Sequence, residues 1–181
     1  MTSIEDEFIN LCCKGNLEKC QEYYAENPEI NISAKNDEVF STVCAYGHLE
    51  IAKWLLKIKP DINISAENEW AFRFACSRGH LDIAKWLLDI KPDINISAKN
   101  EDAFRWACAN VHLHIAKWLL DFKPDINISA ENEFAFRWVW VNGHLDIVAW
   151  LMHYIPYYIS HKKYYRQIKL IKNLVILWDL V

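Results

Sequence analysis

The feature that most constrains the fold of this chain is a repeat of 32 residues. Five residue types, namely proline, glycine, histidine, cysteine and tryptophan, recur with this period in separate registers. The recurring residues are Pro28, Pro60, Pro92, Pro124 and Pro156; Gly15, Gly47, Gly79 and Gly143; His48, His80, His112 and His144; Cys12, Cys44, Cys76 and Cys108; and Trp54, Trp86, Trp118 and Trp150. Such a period is typical of repeat proteins, in which each unit packs against its neighbours.

Each unit is expected to contain two short helices and a connecting finger. In the unit 100–131, "EDAFRWACAN" has apolar residues at helical spacing, which predicts a first helix of about ten residues. The following "HLHIAKWLLDF" is apolar around most of its circumference, so the second helix must be covered on two sides. The glycine register favours the left-handed conformation that ends a helix, and the proline of "KPD" stops the second helix. "INIS" alternates apolar and polar residues, which predicts a short extended finger.

The unit resembles the ankyrin repeat. "GHLDIAKWLLD" at 79–89, part of the same pattern at 143–151, and the "DIN" that follows are similar to that family's Gly-His-Leu-Glu-Ile-Val-Lys-Leu-Leu-Leu-Glu and Asp-Val-Asn. The first helix departs from the family, because Thr-Pro-Leu-His-Leu-Ala-Ala is replaced by "WAFRFAC" at 70–76 and "DAFRWAC" at 102–108. The family's Thr–His hydrogen bond is therefore not expected. The amino-acid sequence of the units is also similar to that of ankyrin arrays of giant DNA viruses of the mimivirus type.

This resemblance implies an all-α repeat solenoid of stacked helix pairs with short extended fingers. We expect one solenoid domain with five units, at 4–35, 36–67, 68–99, 100–131 and 132–163. The first unit has "NLEKCQEYYAEN" in place of "HLDIAKWLLDIK", and this exchange of apolar for polar residues suits an end with no neighbour. Residues 164–181 have apolar residues on one helical side and are predicted to form a C-terminal capping helix.

Charge and composition favour an intracellular protein without a nucleic-acid partner. The formal net charge of -4 provides no basic field for nucleic acid. Acidic residues at positions 5–7 stand where a secretory signal would be basic and then apolar, and the run "LVILW" at 174–178 is far below the ~18 residues of a membrane span. We expect a monomer in the cytoplasm of the host cell, where the recurring Asn-Ile-Ser triplets receive no sugar.

The recurring cysteines and histidines suggest disulfides or a metal site, but packing explains them better. Stacked helices lie ~8–10 Å apart, whereas a disulfide needs Cα atoms within ~7 Å. We therefore expect buried, unpaired cysteines and histidine rings that bond backbone groups, with no metal site. The sequence has no nucleophile–base pair and no glycine-rich phosphate loop, so neither an enzyme nor a cofactor is expected. The tryptophans of the second helices are expected to pack between units.

Positions that vary among otherwise matching units are candidates for partner recognition. In the ankyrin family the variable registers line the concave groove, so the resemblance implies protein binding there. Tryptophan, tyrosine and arginine are the residue types that contribute most energy to interfaces. The predicted partner-binding residues are Tyr46, Glu67, Trp70, Arg73, Arg78, Lys99, Asp102, Arg105, Asn110, Phe134 and Arg137. The three arginines of one register, at positions 73, 105 and 137, have two interpretations: an ion ladder with Glu69, Glu101 and Glu133, or a stripe that faces an anion.

The predicted function is therefore a non-catalytic protein–protein interaction module, which in a virus would act on host proteins. An alternative is an adaptor whose C-terminal segment recruits a ubiquitin ligase or another complex. From His153 onward five basic residues face one acidic residue, which gives this segment a charge of +4.

The fingers carry one further hypothesis. Asn63, Asn95 and Asn127 stand where ankyrin fingers use an asparagine side chain to bond the turn backbone. The spacing of each asparagine from the preceding leucine and aspartate resembles the pattern that asparaginyl hydroxylases accept in ankyrin proteins. We therefore list these three residues as candidate hydroxylation sites.

Overall fold

The chain is all-α over the part that the computed structural model describes, residues 3–154, and contains no strand there. The helices of this part are α1 Ile4–Cys13, α2 Leu17–Glu26, α3 Ala34–Ala45, α4 Leu49–Ile58, α5 Ala66–Ser77, α6 Leu81–Ile90, α7 Ala98–Ala109, α8 Leu113–Phe122, α9 Ala130–Val141 and α10 Leu145–Leu151. From α4 onward, each helix begins 32 residues after its counterpart in the preceding pair. The predicted helix pairs are thus confirmed.

The chain forms two compact units, Met1–Ala103 and Phe104–Val181. The first contains α1 to α6 and the beginning of α7, and the second contains the rest of α7 with α8 to α10. The predicted capping helix at 164–181, the basic segment and the end of the fifth repeat lie outside the described residues. The division of the chain into five repeats of one solenoid stays a prediction.

A left-handed turn of three residues precedes the right-handed first helix of every described pair except the first, in which α1 begins at a Ser3 capping box. At the beginning of α3, α5, α7 and α9, three consecutive residues have φ between 52° and 63°. They are Lys35, Asn36 and Asp37; Glu67, Asn68 and Glu69; Lys99, Asn100 and Glu101; and Glu131, Asn132 and Glu133. Only glycine, and to a lesser extent asparagine and aspartate, adopts this conformation readily. The periodicity did not reveal this turn, because its residues also fit the polar side of a helix.

The fingers consist of turns and contain no extended strand within the described residues. In one finger, the Ile62 N–H donates to the Lys59 carbonyl at 3.4 Å, and the Ala66 N–H donates to the Asn63 carbonyl at 3.0 Å. The alternation in "INIS" therefore reports burial: Ile62 points into the core and Asn63 is exposed. The asparagine side chain closes the second turn, since Asn63 Oδ1 accepts from the Ser65 N–H at 3.2 Å. This use of asparagine was predicted.

The core is organised by a ladder of phenylalanines with the same 32-residue period. Each of these rings is at most 1% exposed: Phe8, Phe40, Phe72, Phe104 and Phe136. In the first unit, Trp54 and Trp86 pack on the phenylalanine of the preceding pair, with ring centroids 6.3 Å apart for Trp54 on Phe8 and for Trp86 on Phe40. In the second unit, Trp150 contacts Phe104 at the same distance. The prediction that these tryptophans join neighbouring repeats is confirmed, although the indoles are only half-buried.

The histidine register links neighbouring helix pairs through a matching glycine. The His48 ring bonds the Cys13 carbonyl at the end of α1, with Nε2 2.8 Å from the oxygen. A Cβ on Gly15 would lie 2.5 Å from Cε1 of that ring, and a Cβ on Gly47 would lie 2.6 Å from Cε1 of His80. Burial lowers the pKa of His80, although its hydrogen bond to the Ala45 carbonyl acts in the opposite direction. Glycine is thus required here for space as well as for its positive φ.

Val111 breaks this arrangement in the second unit. It occupies the glycine register with φ 67°, as the sequence predicted. The next histidine in the ladder is His144, and within the described residues its ring makes no hydrogen bond. A β-branched residue in the left-handed region is strained by ~1–2 kcal/mol. Val111 therefore costs stability at a position where its siblings have glycine.

Replacing Val111 by glycine is expected to stabilise the protein. Relief of the strain is partly offset by the ~0.5–1 kcal/mol entropy cost of glycine, so the melting temperature should rise by ~1–4 °C. Thermal unfolding followed by circular dichroism measures the change. The matched control is Gly47→Val, which should lower the melting temperature because the new side chain meets the His80 ring. An unchanged or lower value for Val111→Gly would contradict the strain.

Candidate functional site

A row of aromatic and arginine side chains crosses two neighbouring helix pairs of the first unit. On α5 the rings of Trp70 and Phe74 stack with centroids 4.3 Å apart and an angle of 23°. The Arg78 guanidinium lies 5.9 Å from the Phe74 ring and 4.6 Å from the ring of Tyr46, which follows α3. Tyr46 is 48% exposed. We call these four residues the aromatic row.

Arg78 connects the two helix pairs within this row. Its Nη1 donates to the Ala45 carbonyl at 3.4 Å, close to the end of α3. A guanidinium over an aromatic ring contributes roughly 0.5–1 kcal/mol at an exposed site and more when a partner excludes water. The contacts within the row therefore fix the positions of its side chains. These aromatic and arginine side chains are of types that stabilise an interface when a partner excludes water from them.

A cleft of about 390 Å³ adjoins Trp70 at the other end of the row. Its polar lining comes from α3 and α5 and includes Lys35, Glu38 and Glu67. Two contacts fix its rim: Lys35 Nζ lies 2.5 Å from an oxygen of Asp6, and Asn36 Nδ2 donates to Glu67 Oε1 at 2.8 Å. Two predicted residues, Glu67 and Trp70, thus meet at one concavity.

Arg73 and Asp102 form a buried ion pair. The side chains are 9% and 14% exposed, and the pair links α5 to α7 within the first unit. Arg73 also donates to the Asn68 carbonyl at 2.8 Å and to the Glu67 carbonyl at 3.1 Å, both in the left-handed turn. These contacts favour a structural role for both residues, as in the ion-ladder interpretation.

The carboxylate of Glu69, in a left-handed turn, has a partner other than the expected arginine. Glu69 was expected to accompany Arg73, but its Oε1 accepts from the Asn95 backbone N–H at 3.3 Å. The equivalent Asp37 accepts from the Asn63 N–H at 3.0 Å. The acidic residue that ends each of these two turns therefore binds the finger that follows the same helix pair. The expected pairing of Glu69 with Arg73 was wrong, because the carboxylate already satisfies a backbone donor.

The second unit has an aromatic cluster of Trp106, Phe134 and Trp138. The ring centroids of Trp106 and Phe134 are 5.2 Å apart, and Phe134 stacks on Trp138 at 5.7 Å. The Arg105 guanidinium lies 5.2 Å from the Phe134 ring and is buried, with 8% of the residue exposed. Trp138 is 44% exposed, and Arg137 is exposed as well. The three arginines of the shared register thus differ, because two are buried and the third is not.

The remaining predicted residues lie at the surface. Lys99, in a left-handed turn, and Asn110, after α7, are both exposed. The three candidate hydroxylation sites Asn63, Asn95 and Asn127 are exposed, and the Oδ1 atom of each accepts from the backbone N–H of the serine two residues later.

The sequence interpretation missed one register of this surface. Phe74, Trp106 and Trp138 were not among the predicted partner-binding residues, although they contribute to the aromatic row and the aromatic cluster. The signal was present: each stands four residues after a variable position of the first helix, and residues at this spacing share a helical face. Thr42 occupies the same register in α3.

The cysteines show burial without pairing. All six are free, and Cys44, Cys76 and Cys108 are fully buried, as predicted. Burial raises the pKa of these three thiols. Within residues 3–154, no three histidine, cysteine or acidic side chains converge as metal ligands. No helix in that range is long and apolar enough to cross a membrane.

Comparison with known proteins identifies the repeat. A family model described as ankyrin repeats (3 copies) matches residues 8–100 and 74–162. Among solved structures, the X-ray structure of an ankyrin repeat family protein from Legionella pneumophila is 34% identical, with a TM-score of 0.59. The match covers 74% of this chain and 43% of the Legionella chain, so this chain spans less than half of that protein. No curated protein gives a significant match.

Proposed function

This chain belongs to the ankyrin-repeat family, and we propose that it binds a partner protein through the aromatic row and the adjoining cleft. Ankyrin repeats are protein–protein interaction modules, generally without catalytic activity. The observation that carries the proposal is the continuous contact from Tyr46 through Arg78 and Phe74 to Trp70. These side chains are already ordered by one another, so a partner that covers them has little rotamer entropy to remove.

The burial pattern supports a division between scaffold and recognition surface. Arg73 and Asp102 satisfy each other and hold the turn that precedes Trp70, so we assign them to the support of the binding face. Glu67 and Tyr46 are exposed beside them and provide polar and aromatic contacts. In the second unit, the aromatic cluster and Asn110 provide further candidate contacts; in the first unit, Lys99 does so.

The test compares the double variant Trp70→Ala/Arg78→Ala with a control on the second helices, Lys53→Ala/Lys85→Ala, whose residues are exposed. Proteins captured from cell extract by the wild type are purified and titrated against each variant. The first variant should weaken binding at least about tenfold, because central tryptophan and arginine contacts often exceed ~1–2 kcal/mol each. The control should bind like the wild type. If the double variant retained every captured partner at full affinity, the proposed face would be wrong.

We also propose hydroxylation of the finger asparagines. Their exposure and their place in a regular turn support access by a modifying enzyme. Intact-mass analysis of the protein isolated from cells should show added oxygen atoms, and these should disappear in the triple variant Asn63→Gln/Asn95→Gln/Asn127→Gln. A mass that equals the unmodified sequence would contradict the proposal.

Two finer hypotheses stay predictions. The first is a viral origin with host proteins as targets; it rests on the resemblance of the units to giant-virus arrays. The second is the adaptor role of the basic C-terminal segment, whose residues lie outside the described part of the chain. The binding proposal depends on neither hypothesis.

A further inference from the structure

The cleft beside Trp70 has the size and lining of a side-chain pocket. Its volume of about 390 Å³ falls in the range of ~300–1,000 Å³ that is typical of sites for small ligands. Besides Trp70, it is lined by the carboxylates of Glu38 and Glu67 and by the hydroxyls of Ser41 and Thr42. One aromatic surface therefore lies beside several hydrogen-bond acceptors.

The charge of the cleft favours a cationic occupant. The one basic residue in its lining, Lys35, is paired with Asp6 at 2.5 Å and lies 3.7 Å from Glu38. The charge of Lys35 is thus balanced from outside the cleft, and the carboxylates of Glu38 and Glu67 remain in excess. Arg78, directly after the end of α5, is eight residues beyond Trp70, which corresponds to ~12 Å along a helix.

One oxygen of Glu38 lacks a hydrogen-bond donor. The Glu38 side chain as a whole is 44% exposed, but its Oε2 is shielded from solvent; this oxygen lies 3.7 Å from Lys35 Nζ and has no hydrogen-bond partner among the described residues. A shielded carboxylate oxygen without a donor is unfavourable. A ligand N–H group that took the place of the Lys35 ammonium beside this oxygen would remove that penalty.

Trp70 adds a preference for a planar cation. Its ring is held by stacking on Phe74 and is only half-buried. A guanidinium is planar, is more weakly hydrated than an ammonium group, stacks on aromatic faces and donates to carboxylates in a fixed fork. A lysine ammonium would use the carboxylates but not the flat aromatic surface in this way.

We propose that the cleft receives an arginine side chain from an exposed segment of the partner protein. The guanidinium lies against Trp70 and donates to Glu38 and Glu67. This inference rests on the proposed function, because it names the residue type that the partner inserts into the binding face.

The experiment uses N-acetyl-arginine methylamide as the probe and the full chain labelled with ¹⁵N. The indole N–H signal of Trp70 is assigned by its loss in Trp70→Phe, since the chain has nine tryptophans. Titration should shift this signal with a dissociation constant on the order of 1 mM, as expected for a ligand of this size. The neutral isostere N-acetyl-citrulline methylamide should leave the signal in place, and N-acetyl-lysine methylamide should bind more weakly than arginine.

Two variants locate the site. Glu38→Gln should weaken the arginine probe about tenfold, because a charge-assisted bond becomes a neutral one. Glu50→Gln, whose carboxylate pairs with Lys53 on α4, should leave binding unchanged. The inference is overturned if the arginine probe causes no shift, if citrulline binds equally well, if lysine binds more tightly, or if Glu38→Gln has no effect.

These outcomes are separable from the proposed function. Suppose that Trp70→Ala/Arg78→Ala lost the captured partner while the arginine probe did not bind the wild-type chain. The proposed function would then be supported, and the inference of an arginine site would be overturned. If the probe bound as described while the double variant retained its partner, the cleft would be an arginine site outside the partner interface, and the inference as stated would be overturned.

Discussion

The left-handed turn at the beginning of α3, α5, α7 and α9 is the constraint on which the rest of the structure depends. Three consecutive residues without glycine adopt a conformation that costs roughly 1–2 kcal/mol per residue, so the surroundings must compensate. In the first unit, the carboxylates of Asp37 and Glu69 bind the backbone of the following finger. Arg73 donates to two carbonyls of the turn at 67–69. The turn thus begins a helix pair, and its carboxylate also binds the finger that ends the same pair.

This turn also decides which residues face a partner. Because the right-handed helix begins after the third left-handed residue, its first positions are Glu38 in α3 and Trp70 in α5. The exposed turn residues Lys35 and Glu67 then stand beside them at the cleft. The acidic third residues Asp37 and Glu69 bind the scaffold, whereas the exposed first residue of the turn varies among the helix pairs. Structural and recognition roles are therefore separated within a few residues.

Much of this arrangement could be predicted from the sequence. The period of 32 predicted the helix pairs, the buried cysteines, the histidines that bond backbone, and the positive φ at Val111, because each depends on local chemistry repeated in register. The left-handed turns could not be predicted in this way, since Lys-Asn-Asp and Glu-Asn-Glu also suit a helix surface. Their backbone is set by hydrogen bonds that are 26 residues distant in the chain.

The candidate site was predicted only in part, for a related reason. The variable registers led to Tyr46, Trp70 and Arg78, but the contact between Arg78 and Tyr46 depends on how two helix pairs stack. The ion pair of Arg73 with Asp102 likewise joins residues 29 positions apart. The repeating charged positions of the sequence therefore did not reveal which acidic residue pairs with Arg73.

The central claim, that the turns are left-handed and compensated, is tested most directly at Asn68, which has φ 56° and ψ 58°. The measurement compares the free energy of unfolding of Asn68→Gly and Asn68→Ala by chemical denaturation. In a left-handed turn, glycine avoids the Cβ strain, so Asn68→Gly should be the more stable variant by ~1 kcal/mol. In a continuous right-handed helix, alanine would be favoured by about 1 kcal/mol instead. Greater stability of Asn68→Ala would contradict the account.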